Sequence, residues 1–269
     1  ELEEQFVRPP AVKKRVLVAG GGVAGMQAAL TAARRGHEVI LCEASDTLGG
    51  VLKCEAKVPF KKRLGEYLER QARRVREAGV EVRLHTPVTP ELARSLKPDA
   101  IVAALGARPV KPPIPGIDGD NVFGAEYVYT HPEAVGQRVQ ILGGGLVGIE
   151  LGIFLSQLGR EVGLVEMLPE LNDGGNMVHM NNLRVQIQER KIGVALSTKA
   201  LAIRPDGVEA EDAEGKRFFP ADTVIYAVGQ KPLSDEAIAL SACAPEFYLV
   251  GDCLSARSIL AATTEAYNA

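Results

Sequence analysis

Two glycine clusters are the parts of this sequence best suited to chemistry. Gly20-x-Gly22-x-x-Gly25 lies within VLVAGGGVAGMQAAL (16–30), and Gly143-x-Gly145-x-x-Gly148 lies within VQILGGGLVGIELG (139–152). An acid follows the first glycine by 23 residues in both copies, Glu43 (43 − 20) and Glu166 (166 − 143). The first glycine of such a cluster allows a tight turn, and the second lets a pyrophosphate approach bare backbone. The third lets helix and strand pack closely, the helix N-terminus attracts phosphate, and the acid accepts hydrogen bonds from ribose hydroxyls.

The flanking residues supply the elements that must position these groups. RVLVA (15–19) reads as a buried parallel strand, followed by a helical segment to about Arg35, Gly36, and a second strand, EVILC, running to Glu43. RVQIL (138–142), a helix to about Leu158, Gly159 and EVGLV running to Glu166 repeat the pattern. A lone glycine motif is weak, because glycines open helices for structural reasons alone. Here strand, helix, second strand and acid are complete twice, so the reading is α/β, with two Rossmann-like three-layer dinucleotide-binding domains.

Bulk properties narrow the class. The 269 residues suffice for two domains, and the balance of 46% hydrophobic and 24% charged residues is that of a globular protein. A net charge of −3 gives no electrostatic pull toward nucleic acid or an anionic membrane. No apolar run reaches membrane-spanning length, and ELEEQFVRPP lacks the regions of a signal peptide. Cys42, Cys54, Cys243 and Cys253 form neither a CxxC pair nor a disulfide scaffold, which fits a cytoplasmic location. His37, His85, His131 and His179 show no metal spacing, so neither a metal site nor a catalytic constellation is expected.

Further stretches break the symmetry. ASDTLGG after Glu43 places Gly49 and Gly50 in a loop open to ligand. EFYLVGD (246–252) is a strand ending in Gly251-Asp252, and Asp252 reads equally as a ligand contact or as a helix N-cap.

The stretches VLVAGGGVAGMQAAL, EASDTLGGVL, AALGARP, ILGGGLVGIELG, TVIYAVGQKP and YLVGDC together resemble the flavoprotein superfamily with two dinucleotide-binding domains, which includes thioredoxin and glutathione reductases. Within it, the chain is most similar to the C-terminal FAD/NAD(P)-binding region of 2,4-dienoyl-CoA reductase, enoate reductases and trimethylamine dehydrogenase. The resemblance implies that Gly20, Gly22, Val23, Ala24, Gly25, Glu43, Gly50, Val51, Leu52, Val88, Ala104, Gly106, Gly251 and Asp252 hold FAD. It implies that Gly143, Gly145, Leu146, Val147, Gly148, Glu150, Glu166 and Gly229 hold the nicotinamide nucleotide. The family often has Thr-Gly where this chain has Leu105-Gly106, and the glycine is kept. A carboxylate at 166 with Met167 and Leu168 after it, and no arginine, favours NADH over NADPH.

The layout follows. PVKPPIPGIDG (109–119) reads as an inter-domain crossing, with a return crossing near 220–232. The second domain is then inserted in the first: 15–110 with 222–269 for FAD, and 111–221 for NAD(H). KKRLGEYLERQARRVREAG (61–79) reads as a solvated helix, and 195–219 as a small antiparallel meander turning at Gly207 and Gly215. Residues 1–14 resemble a link from an iron–sulfur and FMN-bearing TIM barrel, the expected partner portion of the same polypeptide. The expected activity is hydride transfer from NADH to FAD and electrons onward to that portion. A non-catalytic ADP- or FAD-binding module, or a free-standing flavin reductase, are the other expectations.

Overall fold

Val16 to Ala19 are all buried in the strand β1 (Arg15–Ala19), as their apolar run demands for a strand covered on both faces. The computed structural model describes residues 7–171 and 177–269. The strands that follow in the first half are β2 (Glu38–Cys42), β3 (Glu81–Arg83), β4 (Ala100–Ala103) and β5 (Ala107–Pro109). Next come β6 (Val122–Gly124), β7 (Arg138–Leu142), β8 (Glu161–Val165) and β9 (Gly193–Ala195), then β10 (Lys199–Arg204), β11 (Gly207–Asp212) and β12 (Gly215–Pro220). The last are β13 (Thr223–Tyr226), β14 (Gln230–Pro232) and β15 (Glu246–Leu249).

The chain divides into two compact units, one of residues 1–108 with 231–269 and one of 109–230. The first is built on a parallel sheet of order β15-β4-β1-β2-β3, the second on a parallel sheet of order β6-β13-β7-β8-β9. The return crossing therefore falls at 230/231, not 221/222. Thr223 to Tyr226 pair with Val139 to Leu142 at the centre of the second sheet, so β13 belongs to that unit. The first crossing falls at 108/109, at the head of the proline run, and the rest of the run lies inside the second unit. Ile203 N–H donates to the Pro115 carbonyl at 2.8 Å, and a Cβ on Gly116 would lie 2.0 Å from the Ile203 carbonyl oxygen. Pro115 and Gly116 thus pack on β10 inside the second unit.

The two units share their local design. The strand registers Arg15↔Glu38 and Arg138↔Glu161 correspond, and an aspartate from the neighbouring strand entry takes each arginine's backbone N–H, Asp99 at 2.7 Å and Asp222 at 2.8 Å. The helices Val23–Arg35 and Leu146–Gln157 each start directly after the second glycine of a cluster. The first ends at Gly36 in the left-handed region (φ 99°), a conformation in which glycine has no Cβ penalty. Leu68, Gln71 and Val75 are the buried face of the helix Lys62–Glu77, whose other face carries the Arg73–Glu77 pair at 3.8 Å. In the second unit, β10, β11 and β12 form the antiparallel meander, turning at Gly207 and Gly215.

The third glycines are held to their size by sterics. A Cβ on Gly148 would lie 2.2 Å from the Gly143 carbonyl oxygen, whereas one on Gly152, a turn later, would meet side chains only at 3.4–3.5 Å. Gly148→Ala should destabilise the fold by about 2–3 kcal/mol through overpacking against backbone. Gly152→Ala should be neutral or stabilising by up to about 1 kcal/mol, since it removes glycine from a helix interior. Urea denaturation of both variants checks the contrast.

Candidate functional site

Each glycine loop is shaped by two contacts that recur in both units. The first is backbone against backbone. A Cβ on Gly20 (φ 103°) would lie 2.3 Å from the Ala104 carbonyl oxygen, and one on Gly143 (φ 115°) would lie 2.3 Å from that of Ala227. The second is the acid. Gly21 N–H donates to Glu43 Oε2 at 2.7 Å and Ser45 N–H donates to Glu43 Oε1 at 2.8 Å. Likewise Gly144 N–H donates to Glu166 Oε2 at 2.5 Å and Leu168 N–H to Glu166 Oε1 at 2.7 Å. A carboxylate offers about four lone-pair sites, so two backbone donors leave acceptor capacity for a ribose. Gly21 and Gly144 are site residues that the GxGxxG pattern leaves unassigned. The legible signal for them is the unbroken Gly-Gly-Gly in both copies.

In the first unit the sequence-identified residues converge. A Cβ on Gly50 would come 2.9 Å from the Gly22 Cα, so two stretches of bare backbone meet there. Val23, Ala24 and Gly25 form the first turn of the helix Val23–Arg35, and Ala24 packs under Gly251, whose absent Cβ would be 2.7 Å away. Ala104 is buried, and Gly106 (φ 80°) has nothing within 4 Å of a Cβ position. Val51 is exposed and Leu52 packs on the core beside the helix. Val88 packs on the other cluster, with Leu17, Ala19 and Ile40. Open space beside Gly22, where a Cβ would meet only the Gly50 Cα at 3.9 Å, is a cradle into which a phosphate fits.

Asp252 is not the helix N-cap. Ser258 caps the helix Ile259–Asn268 by accepting from Ala261 N–H, and Asp252 lies in a 3-10 turn, Gly251–Cys253. Burial holds its carboxyl above the usual range, against a hydrogen bond from the Arg257 backbone N–H. Gly251 N–H is taken by Glu265, which also pairs with Arg257.

The second unit holds a cavity of about 810 Å³ at the carboxyl ends of β7, β8 and β13. That volume suits a dinucleotide-sized ligand, and the carboxyl edge is where open α/β sheets bind ligands. Gly143, Gly145, Leu146, Val147, Glu166 and Gly229 line it. Gly148 and Glu150 stand outside its wall: Gly148 lies beneath Gly143, and Glu150 is buried with Oε1 3.8 Å from His179 Nε2. Three parts of the wall lie outside the glycine loop and its acid. Pro109, Val110, Pro112, Pro113 and Ile114 form one part, Glu126 and Gln230 another, and Lys199 stands next to Thr198, whose N–H bonds the Glu166 carbonyl.

The cysteines and histidines lie as follows. Cys42, Cys243 and Cys253 are buried and Cys54 is half-buried. Cys253 Sγ donates to the Ala103 and Val250 carbonyls, and burial pushes its thiol upward. His37 accepts from Lys14 N–H at 3.1 Å, and His131 stacks on Tyr127. Among the described residues no helix is long and apolar enough to cross a membrane.

A family model described as pyridine nucleotide-disulphide oxidoreductase matches residues 14–267. The chain belongs to this family. Bilirubin reductase of Mediterraneibacter gnavus is 37% identical over 250 residues, which cover 93% of this chain and 39% of that protein. NADH oxidase of Thermoanaerobacter brockii is 37% identical over 237 residues, 86% of this chain and 36% of that protein. The solved structure of 2-naphthoyl-CoA reductase with 2-naphthoyl-CoA superimposes with a TM-score of 0.90 at 30% identity, covering 97% of this chain and 40% of that one. The chain thus spans well under half the length of these oxidoreductase relatives.

The Asp252 environment has a pH consequence for the flavin-free chain. A carboxyl raised in the folded state favours folding when protonated and loses that advantage as pH rises through its folded value. Asp252→Asn should therefore be more stable than the parent at neutral pH. The difference should vanish below pH 3.8, the ordinary aspartate value. Thermal melts of both proteins across that range test this.

Proposed function

We propose that this chain is a flavin-dependent NADH-oxidising module, with FAD in the first unit and NADH in the second. The observation that carries the reading is the doubled site: a glycine loop tied by its acid, once at Gly21–Glu43 and once at Gly144–Glu166. Bound FAD would accept hydride from NADH and pass electrons on, so the protein itself needs neither acid nor nucleophile. The chain's residues bind and orient. Gly22 and Gly50 leave room for the pyrophosphate of FAD, and Glu43 takes its ribose. Ala104, Gly106, Gly251 and Asp252 lie along the rest of the cofactor. Gly143 and Gly145 receive the pyrophosphate of NADH, and Glu166 its ribose. The buried thiols leave disulphide exchange without an exposed pair, which favours an acceptor other than a disulphide.

The electrons would go to an iron–sulfur and FMN-bearing portion of a longer enoate-reductase-like polypeptide. The names and lengths of the reductase relatives support that reading. Preference for NADH rests on Glu166, whose charge opposes a 2′-phosphate. Lys199 on the same wall is the one nearby cation among the cavity residues and would soften that preference if Glu166 were removed.

The test is an absorption spectrum after addition of FAD and removal of excess, repeated anaerobically with NADH. Retained flavin that bleaches on NADH supports the reading. Retention of ADP with no flavin overturns it in favour of a module that only binds. Gly22→Glu should abolish flavin retention, because the side chain would fill the phosphate cradle. Glu166→Ala should narrow the NADH over NADPH preference by about tenfold, in line with a lost charge interaction. Adding Lys199→Ala should lower the regained affinity for NADPH, as read by initial rates with each nucleotide.

A further inference from the structure

In the two parallel sheets β15 and β6 hold the same edge position. β6 runs straight into the helix Ala125–Thr130, whereas the segment 250–258 separates β15 from the helix Ile259–Asn268. That segment carries Asp252, and one side chain braces it at two points. Glu265, in the second turn of the helix, accepts from Gly251 N–H at 2.9 Å through Oε2 and pairs with Arg257 through Oε1. The Arg257 backbone N–H in turn donates to the Asp252 carboxyl. Both the residue before Asp252 and the residue that donates to it are therefore tied to one carboxylate. Gly251 (φ 69°) presses on the first turn of the helix Val23–Arg35, since a Cβ there would lie 2.7 Å from the Ala24 Cβ. After Asp252, the Cys253 carbonyl accepts from the Ser234 hydroxyl at 2.7 Å. The turn is thus held before and after Asp252, and Glu265 is the side chain that reaches both Gly251 and Arg257.

We propose that Glu265 is a positioning residue for the flavin: it presets the Asp252 carboxyl, which meets the cofactor. This rests on the reading of the first unit as the FAD site. A carboxylate only accepts, and FAD offers hydroxyl donors along the chain between its ring and its phosphates. Such a bond forms at least cost when the carboxyl stands in place before the cofactor arrives. A loop that had to be ordered at binding would lose affinity to that ordering, and a braced loop does not. The Glu265 side chain is only 20% exposed, and the Arg257 guanidinium offsets its charge, so this second acid adds no net charge beside Asp252. Its two oxygens have separable tasks. A neutral amide at 265 still accepts from Gly251 N–H but cannot pair with Arg257 as an ion.

Titration of the full chain, stripped of flavin, with FAD tests the role, read by quenching of flavin fluorescence. Titration with NADH checks the fold. Glu265→Ala should weaken FAD by about tenfold, the scale of a lost hydrogen bond to a charged group. Glu265→Gln should recover most of that loss, because Gly251 N–H keeps an acceptor. Neither should change the affinity for NADH. A role exerted through Asp252 has a further signature, because the two losses are then not additive. Asp252→Ala should itself weaken FAD, and adding Glu265→Ala to it should cost about twofold at most. Unchanged FAD affinity in Glu265→Ala, no recovery in Glu265→Gln, an equal loss for NADH, or additive losses in the double variant overturn the positioning role while leaving the flavin site standing. A parent protein that binds NADH but no FAD overturns the flavin reading, and the role with it.

Discussion

The carboxylates of Glu43 and Glu166 hold the backbone N–H of the middle glycine in each loop, and much else depends on that bond. The space around the middle glycine is tight: a Cβ on Gly21 would lie 2.5 Å from Leu48 Cδ2 and 3.0 Å from Glu43 Oε2, and one on Gly144 2.6 Å from Leu171 Cδ2 and 3.0 Å from the Glu166 Cβ. The acid thus anchors the turn that aims the following helix, besides offering oxygens at the strand end. With the turn fixed, the first N–H groups of that helix face the crevice, where their partial positive charge attracts phosphate. The opposing strand closes the arrangement, because the carbonyls of Ala104 and Ala227 fill the space that a side chain on Gly20 or Gly143 would need.

The same device is used twice, down to the aspartates that take the backbone N–H of Arg15 and Arg138. The units then diverge where their proposed tasks diverge. The first adds the Gly49-Gly50 turn, which brings a second stretch of bare backbone against Gly22, and the half-buried Asp252 beyond β15. The second adds the meander β10-β11-β12 and a wall of prolines on β10, enclosing an open-ended cavity. A resident flavin and an exchanging nicotinamide nucleotide have such different needs.

Much of this was legible in the chain because the determinants are local. Strand, turn, helix, strand and acid follow within 29 residues (15–43 and 138–166), and hydrophobic period and glycine placement specify each one. The Gly207 and Gly215 turns were equally local. The return crossing was not, because β13 reads as an apolar strand that either sheet could accept, and only its pairing with β7 assigns it. Proline density marks 109–119 as an inter-domain crossing, which begins there, but does not reveal that the Pro115 carbonyl accepts from Ile203 N–H. In the sequence Asp252 suits capping and ligand contact equally, and the fold gives the cap of the last helix to Ser258.

By itself the sequence determined the family, the doubled glycine loop and the acid that goes with each, since these rest on spacings within one βαβ segment. The tertiary structure alone decided which distant residues share a wall with those loops. Glu126, Lys199 and Gln230 come from three separate segments, and no periodicity links them. Sheet order brings them together, and sheet order depends on pairings between strands as far apart as Val122 and Val224, which the sum of all packing selects and no short stretch encodes.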